Sequence, residues 1–303
     1  MNQIKKLFVL LIVTAGIFSC KDDDDISIPP PRPYDEQYAV DIEAIEEFLS
    51  THYITVTDNP GIYDDMDVVI NEIPENGTQT SIKDHPDLTF REVNYHDIVY
   101  KVYYLPLRTG IGENPSNVDA VLVTYNGTLL DGTQFEYTQT PTNMLALDNM
   151  IKGWSEIFPK FKTGSYTSNP DGTISFNDFG AGMMFLPSGL GYYNSSRASI
   201  PAYSPLVFSF KLFEIQRLDH DNDGIPSYLE DINGDGYLTA EDDTDGDGIP
   251  DYRDVDDDGD GVLTRTEIKD ASGNIIPFED IPDCSGNTEN PDRLRKYRDP
   301  SCQ

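Results

Sequence analysis

Between Asp219 and Glu267 the chain repeats one arrangement four times: carboxylates or amides at positions 1, 3 and 5 of a short stretch, glycine at 6, an acid at 12. The first stretch has Asp219, Asp221, Asp223, Gly224 and Glu230, and the second Asp231, Asn233, Asp235, Gly236 and Asp242. The third has Asp243, Asp245, Asp247, Gly248 and Asp254, and the fourth Asp256, Asp258, Asp260, Gly261 and Glu267. Such spacing brings hard oxygen ligands around a Ca²⁺ ion, with glycine allowing the sharp turn and position 12 closing the shell. Position 7 would add a backbone carbonyl, from Ile225, Tyr237, Ile249 and Val262. The segment holds eighteen carboxylates against two arginines, about half of the net charge of −33. Without a cation they repel and extend; with Ca²⁺ they become the interior of a compact rod. A solvated acidic tail is the alternative, but random acid does not place glycine at position 6 four times. Affinities of about 10⁻⁴–10⁻³ M are expected of extracellular loops. Strict octahedral geometry disfavours Mg²⁺.

The loops start 12, 12 and 13 residues apart, too close for the helices flanking a true EF-hand. This tandem packing resembles thrombospondin type-3 repeats, with Asp251 an extra acid in the third. A separate element must carry them. Ile98 to Leu105 is β-branched and aromatic, a strand. Asp119 to Tyr125 is a second, ending at Asn126-Gly127, and Asp131-Gly132 marks a turn. Met150 to Phe158 fits a short helix with one buried face, and Leu206 to Ile215 alternates as a last strand. Strands with one short helix predict an α+β domain, its antiparallel sheet packed on that helix.

The order of these residues resembles the FKBP-type peptidyl-prolyl isomerases over roughly 97–217. The likeness rests on Val123 to Phe135, on Met150-Ile151-Lys152-Gly153-Trp154, on Leu186 to Tyr192, and on Ile200-Pro201 with Pro205 to Phe208. It implies a dry aromatic pocket. Trp154, the chain's single tryptophan, would be the floor under a proline ring. Tyr125, Phe135, Met150, Ile151, Tyr192 and Phe208 would be walls, the Ile151 N–H would hold the substrate carbonyl, and the Tyr192 hydroxyl would assist. An X–Pro bond is held planar by a resonance barrier of ~18–20 kcal/mol and exchanges slowly enough to limit folding. A water-poor pocket disfavours the charge-separated planar amide relative to the twisted transition state, with no nucleophile, base or metal. Three departures stand out. Glu136 replaces the family's Asp beside the pocket Phe, a wall aromatic expected near Asn143–Leu145 is absent or does not align, and Ser168 to Gly180 looks inserted, with a turn at Asn169 to Gly172 that would make it a hairpin near the site.

At the N-terminus, Lys5-Lys6 precede an apolar run from Leu7 to Phe18, short of the ~20 residues a spanning helix needs. It reads as a signal peptide, and Ile17-Phe18-Ser19-Cys20 resembles a bacterial lipobox, which makes Cys20 the lipid-bearing residue. A plain secreted protein or a buried helix is the alternative. Asp22 to Asp25 and Pro29 to Pro31 make a tether. An acidic run there also resembles the surface-export signal of Bacteroidetes lipoproteins, which implies an outer-membrane lipoprotein on the cell surface, with the periplasmic face as the alternative. Cys284 and Cys302, in an exported chain, are expected to pair.

The predicted layout is a signal peptide at 1–19, a tether at 20–33, an N-terminal helical and irregular region at 34–96, the isomerase-like domain at 97–217, calcium repeats at 218–268 and a stapled tail at 269–303. Tyr38 to Tyr53 has helical apolar spacing; His52, His85 and His96 lack a metal-ligand set. The charge excludes nucleic-acid binding. Proline-containing polypeptides are the expected partners, the membrane is reached through the lipid, and Ca²⁺ is structural with no organic cofactor. Three functions follow: an exported prolyl isomerase that assists folding, a catalytically weak FKBP-like scaffold or chaperone of the kind found among gliding-associated lipoproteins, and a calcium-dependent adhesion module.

Overall fold

The computed structural model describes residues 30–302. The proposed signal peptide, Cys20 and most of the tether lie outside them. Among the described residues no helix is long and apolar enough to cross a membrane.

Helix α1, Tyr34–Thr51, opens the fold and buries Ile45, Phe48 and Leu49 at the spacing of one helical face. Strands β1 (His52–Val56) and β2 (Val68–Glu72) form a small antiparallel hairpin. The main sheet uses β3 (Thr89–Tyr95), β4 (Ile98–Arg108), β5 (Ala120–Leu129), β6 (Gln134–Thr138) and β7 (Met144–Ala146). After helix α2, Lys152–Ile157, come a second hairpin of β8 (Ser165–Ser168) and β9 (Ile174–Asn177), then β10 (Gly180–Leu186) and β11 (Leu206–Gln216). The sheet order is β3-β4-β10-β11-β5-β6, with β7 also on β5, and each pairing is antiparallel. The α+β architecture expected from the strand pattern is the one observed.

The central strands are apolar on both faces because both are covered. Tyr100, Val102, Met184, Leu186, Phe208 and Phe210 point to the side packed on α2, with Trp154, Ile157 and Phe158. Their neighbours Tyr103, Leu105, Met183, Phe185 and Val207 point to the other side, where α1 supplies Ile45, Phe48 and Leu49. This is the period-2 alternation of a strand. It gives the N-terminal helix its structural role: α1 covers the sheet's reverse face.

Two boundaries move. The sheet begins at β3, inside the region expected to be separate, because this edge strand buries one residue, Val93, and shows little apolar pattern. The acidic array is not joined by a linker either, since the described residues from 32 onward form one unit. The tail is also folded in: Ile281 and Tyr297 pack with Ile225 and Ile268, and Arg293 is buried while donating to the carbonyls of Ile281, Thr288 and Asn290. Cys284 and Cys302 are bonded, with Cα atoms 5.3 Å apart.

Candidate functional site

Helix α2 begins directly after Ile151 and is only six residues long. Gly153 lies against Leu186, whose methyl carbons would stand 2.5 Å from an added Cβ, so the helix sits close on the sheet. That contact delivers Trp154 into the aromatic cluster. The indole meets Tyr125 edge-on at 4.8 Å and Phe208 at 5.4 Å. Phe135 meets Phe208 at 5.5 Å. Such edge-to-face pairs add about 0.5–1.5 kcal/mol each beyond burial. Tyr125, Trp154 and Phe208 are buried, and half-buried Phe135, Met150, Ile151 and Tyr192 pack around them. Seven sequence-selected residues thus meet in one place. Gly127 is required there: a Cβ would lie 2.5 Å from the Phe135 ring.

Glu136, the residue that departs from the family pattern, reaches Tyr125. Its carboxylate accepts the Tyr125 hydroxyl at 2.6 Å. Burial, and then that carboxylate, pushes the Tyr125 pKa up to about 12. Tyr192 is raised by burial first and by Glu136 second. Both hydroxyls therefore remain protonated donors across the physiological range. Near Asn143–Leu145, β7 pairs with the Ala120–Leu122 end of β5, and half-buried Leu145 packs against the core there. The inserted segment is a hairpin, but it packs elsewhere: Phe176 joins Phe179 and Phe213 in a separate cluster.

The indole is sealed more tightly than the floor of an open pocket, at 1% exposed. Its N–H has no partner among the described residues. A groove of about 440 Å³ is lined by Met150, Ile151 and Tyr192 together with Tyr34, Tyr95 and His96. Trp154 does not line it. Among the described residues, the Ile151 N–H donates to no carbonyl or side chain.

The four acidic loops share one local geometry. In all four loops the position-6 N–H donates to the position-1 carboxylate, at 3.2, 2.7, 2.9 and 3.1 Å for Gly224, Gly236, Gly248 and Gly261. The position-7 N–H, from Ile225, Tyr237, Ile249 and Val262, donates to the position-5 carboxylate each time. The four glycines have φ of +110°, +84°, +100° and +92°, which a side chain rarely adopts. Position 4 is left-handed as well, in Asn222, Gly234, Gly246 and Gly259. That requirement passed unnoticed in the sequence, although Asn and Gly are the residues that tolerate it.

The loops are not equivalent at position 12. Glu230 is buried with both oxygens unpartnered, and one oxygen of Glu267 is buried and unpartnered too. Asp242 instead caps its own loop, accepting the backbone N–H groups of Ile232, Asn233 and Thr239. Asp254 accepts the Asp256 N–H. Asp243, Asp245 and Asp247 converge within 4.8 Å, as do Asp256, Asp258 and Asp260. Asp251, the extra acid, binds the Thr244 N–H and hydroxyl.

In the curated FkpA of Escherichia coli K12, an FKBP-type peptidyl-prolyl cis-trans isomerase, 121 residues align at 32% identity, which is 39% of this chain and 38% of that one. Part of this chain is therefore homologous to FKBP-type isomerases. FkpA of Aeromonas hydrophila aligns at 32% over 118 residues, 38% of each chain. The peptidyl-prolyl cis-trans isomerase Mip of Coxiella burnetii aligns at 36% over 64 residues, 20% of this chain and 28% of that one. The crystal structure of FkpA from Escherichia coli superposes at TM-score 0.32 with 29% identity, covering 38% of this chain and 48% of that chain. The chain thus spans well under half the length of the curated relatives it matches. A family model described as BamM C-terminal matches residues 220–291, across the acidic loops and into the tail.

Two side-chain contacts not expected from the sequence, made by Asp41 and Tyr237, support the helix and turn beside the aromatic cluster. Asp41 on α1 is buried and accepts both the N–H and the hydroxyl of Ser188, at 2.7 and 2.6 Å. It thereby holds the turn that leads to Tyr192. Tyr237, at position 7 of the second acidic loop, donates its hydroxyl to the Glu156 carbonyl in α2 at 2.9 Å. Its ring carries the Arg91 guanidinium at 3.6 Å, and Arg91 in turn pairs with Glu156. Neither role has a local sequence signature, since each partner lies far along the chain.

Proposed function

We propose that this chain is a prolyl isomerase of the FKBP type that acts on proline-containing segments of exported proteins. The observation that carries the reading is the convergence of Tyr125, Phe135, Met150, Ile151, Trp154, Tyr192 and Phe208 in one cluster, with Glu136 holding the Tyr125 hydroxyl. A prolyl ring seated against this wall leaves water, and the amide then twists more easily because its polar planar form loses solvation. The free Ile151 N–H and the protonated Tyr192 are the donors available to the substrate carbonyl. The test is the isomerisation rate of a short X–Pro peptide with the full chain and with Trp154→Ala and Phe135→Ala. Catalysis well above background that falls with both variants is expected; background rates from all three reject the enzyme.

The sealed indole favours a second reading, a binding module that holds proline-containing segments with little turnover. Peptide binding without acceleration in the same assay would select it.

In the fuller proposal the protein is an outer-membrane lipoprotein facing the cell surface, attached through Cys20 and stiffened by calcium loops. The lipobox-like sequence supports the anchor, and Cys20→Ser should release the protein from membranes. Buried carboxylate oxygens without donors support the cation, because ionised groups are not left unpaired in an interior. Removing Ca²⁺ should expose residues 219–267 to protease, and unchanged digestion in chelator would count against it.

A further inference from the structure

The first and fourth acidic loops, far apart in sequence, are neighbours. The Arg265 guanidinium donates to the Asn222 carbonyl at 2.7 Å, and Ile225 and Ile268 share a buried cluster with Ile281 and Tyr297. Between the loops, ligand oxygens of Asp221, Asp223, Glu230 and Asp257 lie within 4.8 Å of one another. Glu230 and Asp257 are each 1% exposed. All four of their carboxylate oxygens are buried without a hydrogen-bond partner among the described residues, and so is one oxygen each of Asp219, Asp221 and Asp223.

Asp257 stands at position 2 of its own loop, where the other loops have His220, Ile232 and Thr244, so loop spacing gives it no ligand role. Its neighbours point elsewhere: Asp256 and Asp258 converge with Asp260 on the fourth loop's own cluster. Residues 256–259 form a tight turn closed by the Gly259 N–H on the Asp256 carbonyl at 3.0 Å, and from it Asp257 joins the loop 1 cluster while Asp256 and Asp258 join that of loop 4.

We infer that Asp257 closes a cation site belonging to loop 1, so that one divalent ion ties the two ends of the array together. Seven donorless oxygens with the Ile225 carbonyl suit Ca²⁺, which takes 6–8 oxygens, better than Mg²⁺, which keeps several waters. The inference rests on reading the loops as calcium loops and adds a ligand from outside the loop.

The test is calorimetric titration of the calcium-stripped full chain with CaCl₂, for wild type, Asp257→Asn, Glu230→Gln, the double variant and Asp231→Asn. The expected result is the loss of one tight ion, or at least tenfold weaker binding of it, in both Asp257→Asn and Glu230→Gln. The double variant should lose no more, and Asp231→Asn should retain that ion. An isotherm of Asp257→Asn equal to wild type overturns the inference while leaving the loops as calcium sites. Equal losses in Asp257→Asn and Asp231→Asn overturn it too, as a general charge effect. No uptake by wild type removes the calcium reading itself. If Asp257→Asn does not fold, Asp257→Glu keeps the charge and displaces the oxygens, and an unchanged isotherm there is equally fatal.

Discussion

His96 shows how one side chain joins two parts of the molecule. Its ring stacks on Tyr34 of α1 at 3.6 Å and its Nδ1 lies 3.2 Å from the Tyr100 hydroxyl. Burial is the main cause of a pKa held below the ordinary 6.5, partly opposed by Asp97. The folded state thus binds fewer protons here than the unfolded chain. Its contribution to stability is complete above pH 6.5 and is lost as the pH falls below it. Stability measured by denaturant between pH 7.5 and 5.5 should drop on acidification, and in His96→Asn, which tolerates the φ of +53° at this position, that slope should flatten. An identical slope in the variant would remove His96 as the titrating group. Asp257 is the residue-scale counterpart in the array, a carboxylate whose role depends on a loop it does not belong to.

At the scale of elements, α1 and the segment 187–205 act as a pair. Strand β10 ends at Leu186, and the chain turns through Ser188–Leu190 before Tyr192. The turn is held by Asp41, and Tyr34 also stacks on Tyr193 at 4.3 Å. Replacing Asp41 with Ala leaves the buried Ser188 N–H without a partner, which costs about 1–3 kcal/mol. Thermal or denaturant unfolding should show this loss, and peptide binding at Tyr192 should weaken while Glu136 and Tyr125 keep their bond. Unchanged binding would mean the turn is fixed by its own backbone. The short α2 needs help as well: a six-residue helix leaves its last carbonyls without intrahelical partners, and the acidic array supplies one through Tyr237.

For the molecule as a whole, that bond makes the array part of the site's support. Asn117 and Leu238 exchange two hydrogen bonds of 2.8 Å each, and Val118, Leu238 and Tyr252 form a small apolar seam. His220 and Arg253 both approach Asp148, just before Met150, at 3.5 Å. On the proposed calcium reading, ordering of the loops by the ion should therefore reach α2. Tyr237→Phe, which removes one buried hydrogen bond worth about 0.5–1.5 kcal/mol, should lower stability modestly and reduce the effect of chelator on isomerase activity. Equal chelator sensitivity in the variant and wild type would show that coupling runs by another route.

Much of this protein is written locally. Alternation in 206–215 and the helical spacing from Tyr38 to Thr51 specify their elements because each burial pattern is periodic within a few residues. The acidic loops are local in the same sense, since every position-6 glycine serves the carboxylate five residues before it. The aromatic set around Trp154, by contrast, is legible through its likeness to a family and is assembled from strands far apart in the chain. Other features depend on distant partners. Strand β3 carries too little apolar pattern to announce itself, and pairing with β4 defines it. Which face α1 covers, how Asp41 reaches Ser188, why Tyr237 caps α2 and why Asp257 faces loop 1 are set by segments brought together from far along the chain. A residue's type limits what it can bond; only packing decides which partner lies within reach.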